Sequence, residues 1–141
     1  MIIYGEFSDL AVWRPGDSTW TKIGAKYASY VIYAGGVFIF IDCRFGIYLC
    51  RVQCFWDGAL GKSIYQCQKR FVVDMDPYLR TGSTKNYLVY SQGKLVAINR
   101  STDGNDGTTS VLLAEMTFKT KEVNPIKDLG KWSLFLGSNE S

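Results

Sequence analysis

The chain contains no histidine. Ser-His-Asp and Cys-His sites take their general base from that residue, so neither kind of nucleophilic centre is available. Proline is scarce, at 3 in 141 residues. No apolar run approaches the roughly 18 residues that would suggest a membrane-spanning helix. Charge of one sign is lacking too: 16 basic residues stand against 13 acidic ones, scattered along the chain for a net +3. A surplus that small makes no stripe for a phosphate backbone, so nucleic-acid binding is not expected. The start Met1-Ile-Ile-Tyr-Gly-Glu6 has neither the basic segment nor the apolar core of a secretion signal. The cytoplasm or nucleus is the expected location, and membrane association is not expected. The sequons at Asn99-Arg-Ser101 and Asn139-Glu-Ser141 matter only in a secreted chain and are read as chance.

What the chain does have is aromatic residues and regularly spaced glycines: 4 Trp, 9 Tyr, 8 Phe and 14 Gly. Tyr30–Asp42, Y-V-I-Y-A-G-G-V-F-I-F-I-D, reads as two short strands around a Gly-Gly turn. It returns at Tyr87–Asn99 as Y-L-V-Y-S-Q-G-K-L-V-A-I-N, so that Tyr30 meets Tyr87, Gly36 meets Gly93 and Asp42 meets Asn99, 57 residues on. A fragment, W-S-L-F-L-G, follows at Trp132–Gly137. A second correspondence aligns Leu10, Ala11 and Ile23 with Leu113, Ala114 and Ile126. Hairpins repeating at such spacing indicate stacked sheets. The run Val37–Ile41 is apolar at every position, which predicts a strand covered on both faces, as in the middle of a propeller blade.

The expected fold is therefore all-β: one domain over 1–141, built of antiparallel four-stranded blades as a partial β-propeller of about two and a half blades. The predicted parts are an outer strand pair at 9–23, a blade at 30–74, a blade at 87–128 and the start of another at 131–137. Within them Leu10–Arg14 and Thr19–Ile23 read as strands around a Pro15–Ser18 turn. Ile47–Val52 and Phe71–Asp74 are further strands, and Asp76-Pro-Tyr78 with Thr81–Thr84 makes a polar connector. Ser110–Phe118 and Lys121–Asp128 close the second blade. Phe55–Lys69 reads either as a loop plus an outer strand or as one or two helical turns. An open ring of this kind predicts exposed sheet faces and edges that favour oligomers or aggregation.

Several local patterns resemble chemical sites and fail on spacing. Gly58-Ala-Leu-Gly-Lys-Ser63 ends like a phosphate loop, but the position that needs the first glycine holds Trp56. The cysteines follow C-x6-C-x3-C-x12-C at Cys43, Cys50, Cys54 and Cys67. On a strand Cys50 and Cys54 share a face but lie about 13 Å apart, too far for one metal. Buried, reduced cysteines acting as small hydrophobes are expected. Asp103-Gly-Asn-Asp-Gly107 lacks the register of a calcium loop and has Ala114 where a bidentate Glu belongs. Pairs such as Asp74 and Asp76 read as a solvated turn. No catalytic, cofactor-binding or metal-binding residue is assigned, and no enzymatic activity or cofactor is expected. Trp13, Trp20 and Trp56 are candidate interface anchors, with blade packing the commoner use of such residues.

Four stretches taken together carry a family resemblance: L-A-V-W-R-P-G-D-S-T-W-T-K-I, Y-V-I-Y-A-G-G-V-F-I-F-I-D-C-R-F-G-I-Y, Y-L-V-Y-S-Q-G-K-L-V-A-I-N-R and D-L-G-K-W-S-L-F-L-G-S-N-E-S. In order and spacing, from Leu10 to Ser141, they resemble the C-terminal β-propeller of plant F-box proteins of the KIB type. The resemblance implies a propeller that recruits a protein substrate for a cullin-type ubiquitin ligase. In that family an F-box docks on a Skp-type adaptor; no F-box precedes Leu10, so adaptor docking is not expected of this chain. The leading expectation is a non-catalytic protein-interaction module with an unidentified protein partner. The alternative is a truncated family member, nonfunctional or acting as a regulatory competitor. Contacts are expected on the loops Asp42–Gly46, Phe55–Ser63 and Ser101–Thr108, with the hairpin Tyr30–Asp42 as scaffold.

Overall fold

A computed structural model describes residues 2–4, 9–24, 27–79, 84–103, 105, 107–131, 133 and 134. Three antiparallel sheets hold nearly all of them. Sheet one contains β1 (Ile2–Tyr4), β2 (Asp9–Val12) and β3 (Thr21–Lys22). Sheet two runs in chain order through β4 (Ala28–Ala34), β5 (Val37–Asp42), β6 (Gly46–Asp57) and β7 (Lys62–Asp74). After the single helical turn α1 (Asp76–Leu79), sheet three is built from β8 (Thr84–Ser91), β9 (Lys94–Thr102), β10 (Thr108–Thr117) and β11 (Val123–Pro125).

The two hairpins that open sheets two and three owe their turns to residues that accept positive φ. Gly35 and Gly36 sit at φ 58° and 81°, and Gln92 and Gly93 at 51° and 78°. Two successive positive-φ residues match the twist of the flanking strands, and this is why Gly-rich pairs close such hairpins. The first strands of the two sheets then lie against each other, and the rings of Tyr30 and Tyr87 meet with centroids 5.5 Å apart. A polar chain runs beside them. Buried Asn99 donates through Nδ2 to Asn86 Oδ1 at 2.8 Å, and Asn86 Nδ2 donates to Ser29 Oγ on β4 at 3.3 Å.

Sheet two is covered on both faces, as the unbroken apolar run Val37–Ile41 predicts. Ile39, Ile41 and Ile47 pack with Leu88, Leu95, Ala97, Ala114 and Met116 of sheet three, while Met75, just before α1, and Leu79 within it fill the same core. Phe40 and Cys50, from the opposite face, pack with Leu10 of sheet one. Phe40 is fully buried and stacks on Tyr48, with centroids 5.0 Å apart and planes 12° apart.

Sheet one carries the same pairing as the outer three strands of sheet three. Ala11 opposes Lys22 as Ala114 opposes Pro125, and Ile2 opposes Ala11 as Ala97 opposes Ala114. Ile23 N–H donates to Leu10 C=O at 2.9 Å, and Ile126 N–H to Leu113 C=O at 2.9 Å. Among the described residues sheet one thus has the three outer strands of a blade and no innermost one. Its first strand, only three residues long, is below the length at which alternation is legible in sequence.

Several local expectations need correction. The strand at Thr19–Ile23 shrinks to Thr21–Lys22, because Thr19 and Trp20 belong to the turn. Residues 76–79 are helical, initiated by the Asp74 carboxylate accepting the Asp76 N–H at 2.9 Å. The strand at Lys121–Asp128 is only Val123–Pro125. The predicted start of another blade at 131–137 lies outside the described residues, except for 131, 133 and 134. The cysteines are not four buried thiols: Cys50 and Cys67 are joined, and Cys43 and Cys54 are exposed. The pairing follows from the β6–β7 register. Cys67 opposes Val52, which places it diagonally from Cys50 on one face.

Candidate functional site

In an antiparallel blade, the first-to-second and third-to-fourth connections emerge at one end and the second-to-third connections at the other. The three candidate loops are thereby separated. Phe55–Ser63 lies at one end, with the β4–β5 and β8–β9 turns and the β2–β3 turn. Asp42–Gly46 and Ser101–Thr108 lie at the opposite end.

The loops at that second end are occupied with internal bonding. Asp42 Oδ1 accepts the N–H groups of Arg44 and Gly46, both at 2.9 Å, and the side chain of Phe45 turns into the core. Burial, then the nearby Asp42 carboxylate, pushes the Tyr48 phenol above its ordinary value. Ser101–Thr108 begins and ends in strand, at Ser101, Thr102 and Thr108. Asp103 Oδ1 accepts the N–H groups of Asn105 at 3.0 Å and Gly107 at 2.7 Å, and a Cβ on Gly107 would lie 2.7 Å from Asp103 Oδ2. That carboxylate closes the loop on its own backbone, and no group of metal-ligating side chains occurs among the described residues.

The first end is different. Phe55–Lys69, whose structure the sequence leaves open, is not helical: the outer strand runs from Lys62, the loop before it shrinks to the turn 58–61, and Phe55–Asp57 belong to β6. β6 and β7 pair without interruption from Tyr48↔Phe71 out to Asp57↔Lys62, whereas β5 leaves β6 at Cys50. The last seven pairs form a two-stranded ribbon that reaches roughly 23 Å beyond β5. Its tip is Asp57–Gly61, where Asp57 Oδ1 accepts the N–H groups of Ala59 at 2.9 Å and Leu60 at 3.1 Å. The phosphate-loop-like glycines are therefore a hairpin tip whose N–H groups face a carboxylate, so no phosphate cradle exists there.

The ribbon leans on sheet one. Arg14 Nη2 donates to Ser63 Oγ at 2.7 Å, and the Arg14 guanidinium lies 5.9 Å from the Tyr65 ring centroid. The Tyr65 hydroxyl donates to Asp17 Oδ2. Loss of water around Tyr65, reinforced by that bond, pushes its phenol up to about 12, and the same bond holds Asp17 below the ordinary carboxylate value. At the base, the Cys50–Cys67 bond ties the two ribbon strands together.

Apolar side chains gather on this end. Trp56 is 69% exposed, Leu60 61% and Phe55 50%, and Trp13 and Trp20 contact each other with centroids 6.2 Å apart while staying near half exposed. The three tryptophans are thus surface residues, not blade packing. Two clefts open here. One of about 330 Å3 lies between the β2–β3 turn and the ribbon, bordered by Asp17, Thr21, Trp56 and Tyr65. Another, of about 290 Å3, lies between sheets two and three beneath Tyr90, Phe118 and Arg70. A larger hollow, about 610 Å3, follows the outer face of sheet three along Val89, Val96 and Leu113. No described helix is long and apolar enough to cross a membrane.

A family profile described as KIB1-4 beta-propeller matches residues 1–141. The chain belongs to that family. The three sheets are blades of a KIB1-4 beta-propeller, and the resemblance carried by the four sequence stretches is to the right family. No curated protein and no solved structure gives a significant match. In this KIB-type propeller the element beyond the blade core is the β6–β7 ribbon, and sequence reading missed it for a physical reason. Arg51–Asp57 and Lys62–Lys69 alternate poorly because neither ribbon face is fully buried. The one available signal was the Asp57-Gly58 step followed by Gly61, a turn between two stretches of equal length.

Proposed function

We propose that this chain is a non-catalytic protein-interaction module that engages its partner on the propeller end carrying the β6–β7 ribbon. One observation carries the reading: exposed Trp13, Trp20, Phe55, Trp56 and Leu60 cluster on a projecting element braced by Arg14, Asp17 and Tyr65. Exposed aromatics on a fixed support are the usual anchors of protein recognition. Arg14, Asp17 and Tyr65 are engaged in bracing the ribbon. The finer reading follows the family: the partner is a substrate brought to a ubiquitin ligase of the F-box type, in the cytoplasm or nucleus, with no nucleic acid, membrane or cofactor involved.

Proximity labelling in cells tests both levels. Proteins labelled by the native chain should be lost with Trp56→Ser/Leu60→Ser and kept with Cys43→Ser/Arg44→Ala, which alters the opposite end. Equal loss from both variants, or from neither, would refute the assignment of the binding end. The ligase reading further requires that ubiquitination of a retained partner change with the level of this chain; an unchanged level would leave a binding module without that role.

A further inference from the structure

Past Cys50, β6 has a strand on one side only. β5 pairs with it from Ile41↔Ile47 to Phe38↔Cys50, while the β7 ladder continues to Asp57↔Lys62. The stretch Arg51–Asp57 therefore presents one edge without a strand partner among the described residues. Unpaired N–H and C=O groups along such an edge are a template for another strand, and folded proteins usually blunt them with charge. The outer edge strand β7 follows that practice, with Lys62, Lys69 and Arg70 along it. The open edge of β6 instead carries Phe55 and Trp56 on its two faces, both half-exposed or more.

Charge says what would fit. Residues 51–70 contain Arg51, Lys62, Lys69 and Arg70 against Asp57 alone, a net +3 that equals that of the whole chain; Arg51 and Lys62 stand on the ribbon itself, and Lys69 and Arg70 at its base, opposite Cys50 and Leu49. Lys69 lies 4.5 Å from the Tyr48 ring centroid, whereas Arg51, Lys62 and Arg70 have no acidic partner among the described residues. A second copy of this chain would bring those cations against their equals, at a cost in repulsion.

We infer that the open edge of β6 from Arg51 to Asp57 is a strand-addition site for an extended segment of a partner protein in which acidic and apolar side chains alternate. The added strand continues the line of β5. Its backbone completes the ladder, and its apolar side chains meet Phe55 or Trp56. Its carboxylates meet Arg51 on β6 and, across β6 on the same face, Lys62. This rests on the reading of the ribbon end as the protein-binding end and adds the mode of binding and the chemistry of the partner.

The test is a titration of isotope-labelled full chain with Ac-Glu-Val-Glu-Tyr-Glu-Val-Glu-NH2, followed by amide chemical shifts. Shifts should centre on residues 51–57, and Arg51→Glu should weaken binding about tenfold. Two versions of the peptide, N-methylated on even or on odd residues, separate backbone pairing from side-chain docking: one should lose binding and the other keep it. The inference is overturned if both versions bind equally, if a Lys-for-Glu peptide binds as well, or if residues 51–57 stay unmoved at millimolar peptide while cross-strand contacts show an intact ribbon. Peptide-independent, concentration-dependent shifts of 51–57 would assign the edge to a second copy and overturn it equally. A chain that keeps its labelled partners in the Trp56/Leu60 comparison yet ignores the peptide refutes only this inference; loss of the partner reading itself shows in the labelling alone.

Discussion

Asn99 offers the sharpest test of how the two complete blades are docked. Its side chain is fully buried, its amide donates to Asn86 at 2.8 Å, and Asn86 in turn reaches Ser29 on the neighbouring sheet. Asn99→Ala removes the hydrogen bond to Asn86, strands the Asn86 Oδ1 acceptor away from water and leaves a small void. A stranded buried acceptor costs about 1–3 kcal/mol, and the void adds to it, so a loss of about 2–3 kcal/mol is expected. For a chain of this size that lowers the melting temperature by roughly 10 °C. Asn99→Asp keeps the volume and replaces the donor with an acceptor whenever it is ionised. Burial raises the carboxyl's pKa in the folded state above its unfolded value. The variant is accordingly penalised least below about pH 4, and progressively more as pH rises through the folded value. Urea melts at pH 4 and pH 8 separate the two variants: the Asn99→Ala loss is flat and the Asn99→Asp loss grows. A double-mutant cycle with Asn86→Ala should show coupling of about 1 kcal/mol. A flat pH profile for Asn99→Asp, or additive losses, would show that the polar chain does not join the blades.

Two further outcomes follow. Phe40→Ala should cost about 3–5 kcal/mol in a urea melt, since Phe40 is fully buried between sheets one and two, whereas Trp56→Ala at the ribbon tip should stay within about 0.5 kcal/mol. The Asp17–Tyr65 brace should hold only in a middle pH window. Tyr65 contributes fully below its ordinary 10.0 and is lost as pH climbs through about 12; Asp17 contributes above its ordinary 3.8 and is lost as pH falls through its lowered value. Ultraviolet titration should show late-ionising phenols, since Tyr48 is raised too, of which one is lost in Tyr65→Phe and titrates earlier in Asp17→Asn; if the phenol assigned by Tyr65→Phe is unchanged in Asp17→Asn, the brace is refuted.

The parts of the fold legible in the sequence were those governed by local chemistry. Gly35-Gly36 and Gln92-Gly93 need positive φ, so the hairpin turns could be read directly. Val37–Ile41 has no polar face, so burial on both sides could be read as well. What was illegible depended on a partner distant in sequence. Whether Trp13 is an anchor or a packing residue stays open in the sequence until the neighbouring ribbon is seen to lean on Arg14 and Asp17, with the indole left 44% exposed. The bonding of Cys50 to Cys67 requires the β6–β7 register, which alternation does not supply where both faces meet solvent. The loops were legible as loops, but which of them share an end is a property of strand order. Asp42 and Asp103 show the further difficulty that an acidic turn residue aimed at its own backbone has the same composition as one aimed at a ligand.

The contrast between the two ends bears on why recognition is placed at the ribbon. At the opposite end Asp42 and Asp103 spend their carboxylates on their own loops, and Phe45 is drawn into the core, so little remains to meet a partner. A free ribbon of seven pairs would meet a partner poorly for another reason, because ordering it on contact would cost conformational entropy. Here that ordering is supplied in advance at three heights: by the Cys50–Cys67 bond at the base, by Tyr65 on Asp17 in the middle and by Ser63 on Arg14 near the tip. Each brace lies on the face of the ribbon that looks toward sheet one. The other face, with Phe55 and Ile64 opposite each other, and the open edge of β6 are left unencumbered. A partner binding there meets a surface already fixed in shape, so its affinity is set by the contacts it makes and not by the ribbon it would otherwise have to fold.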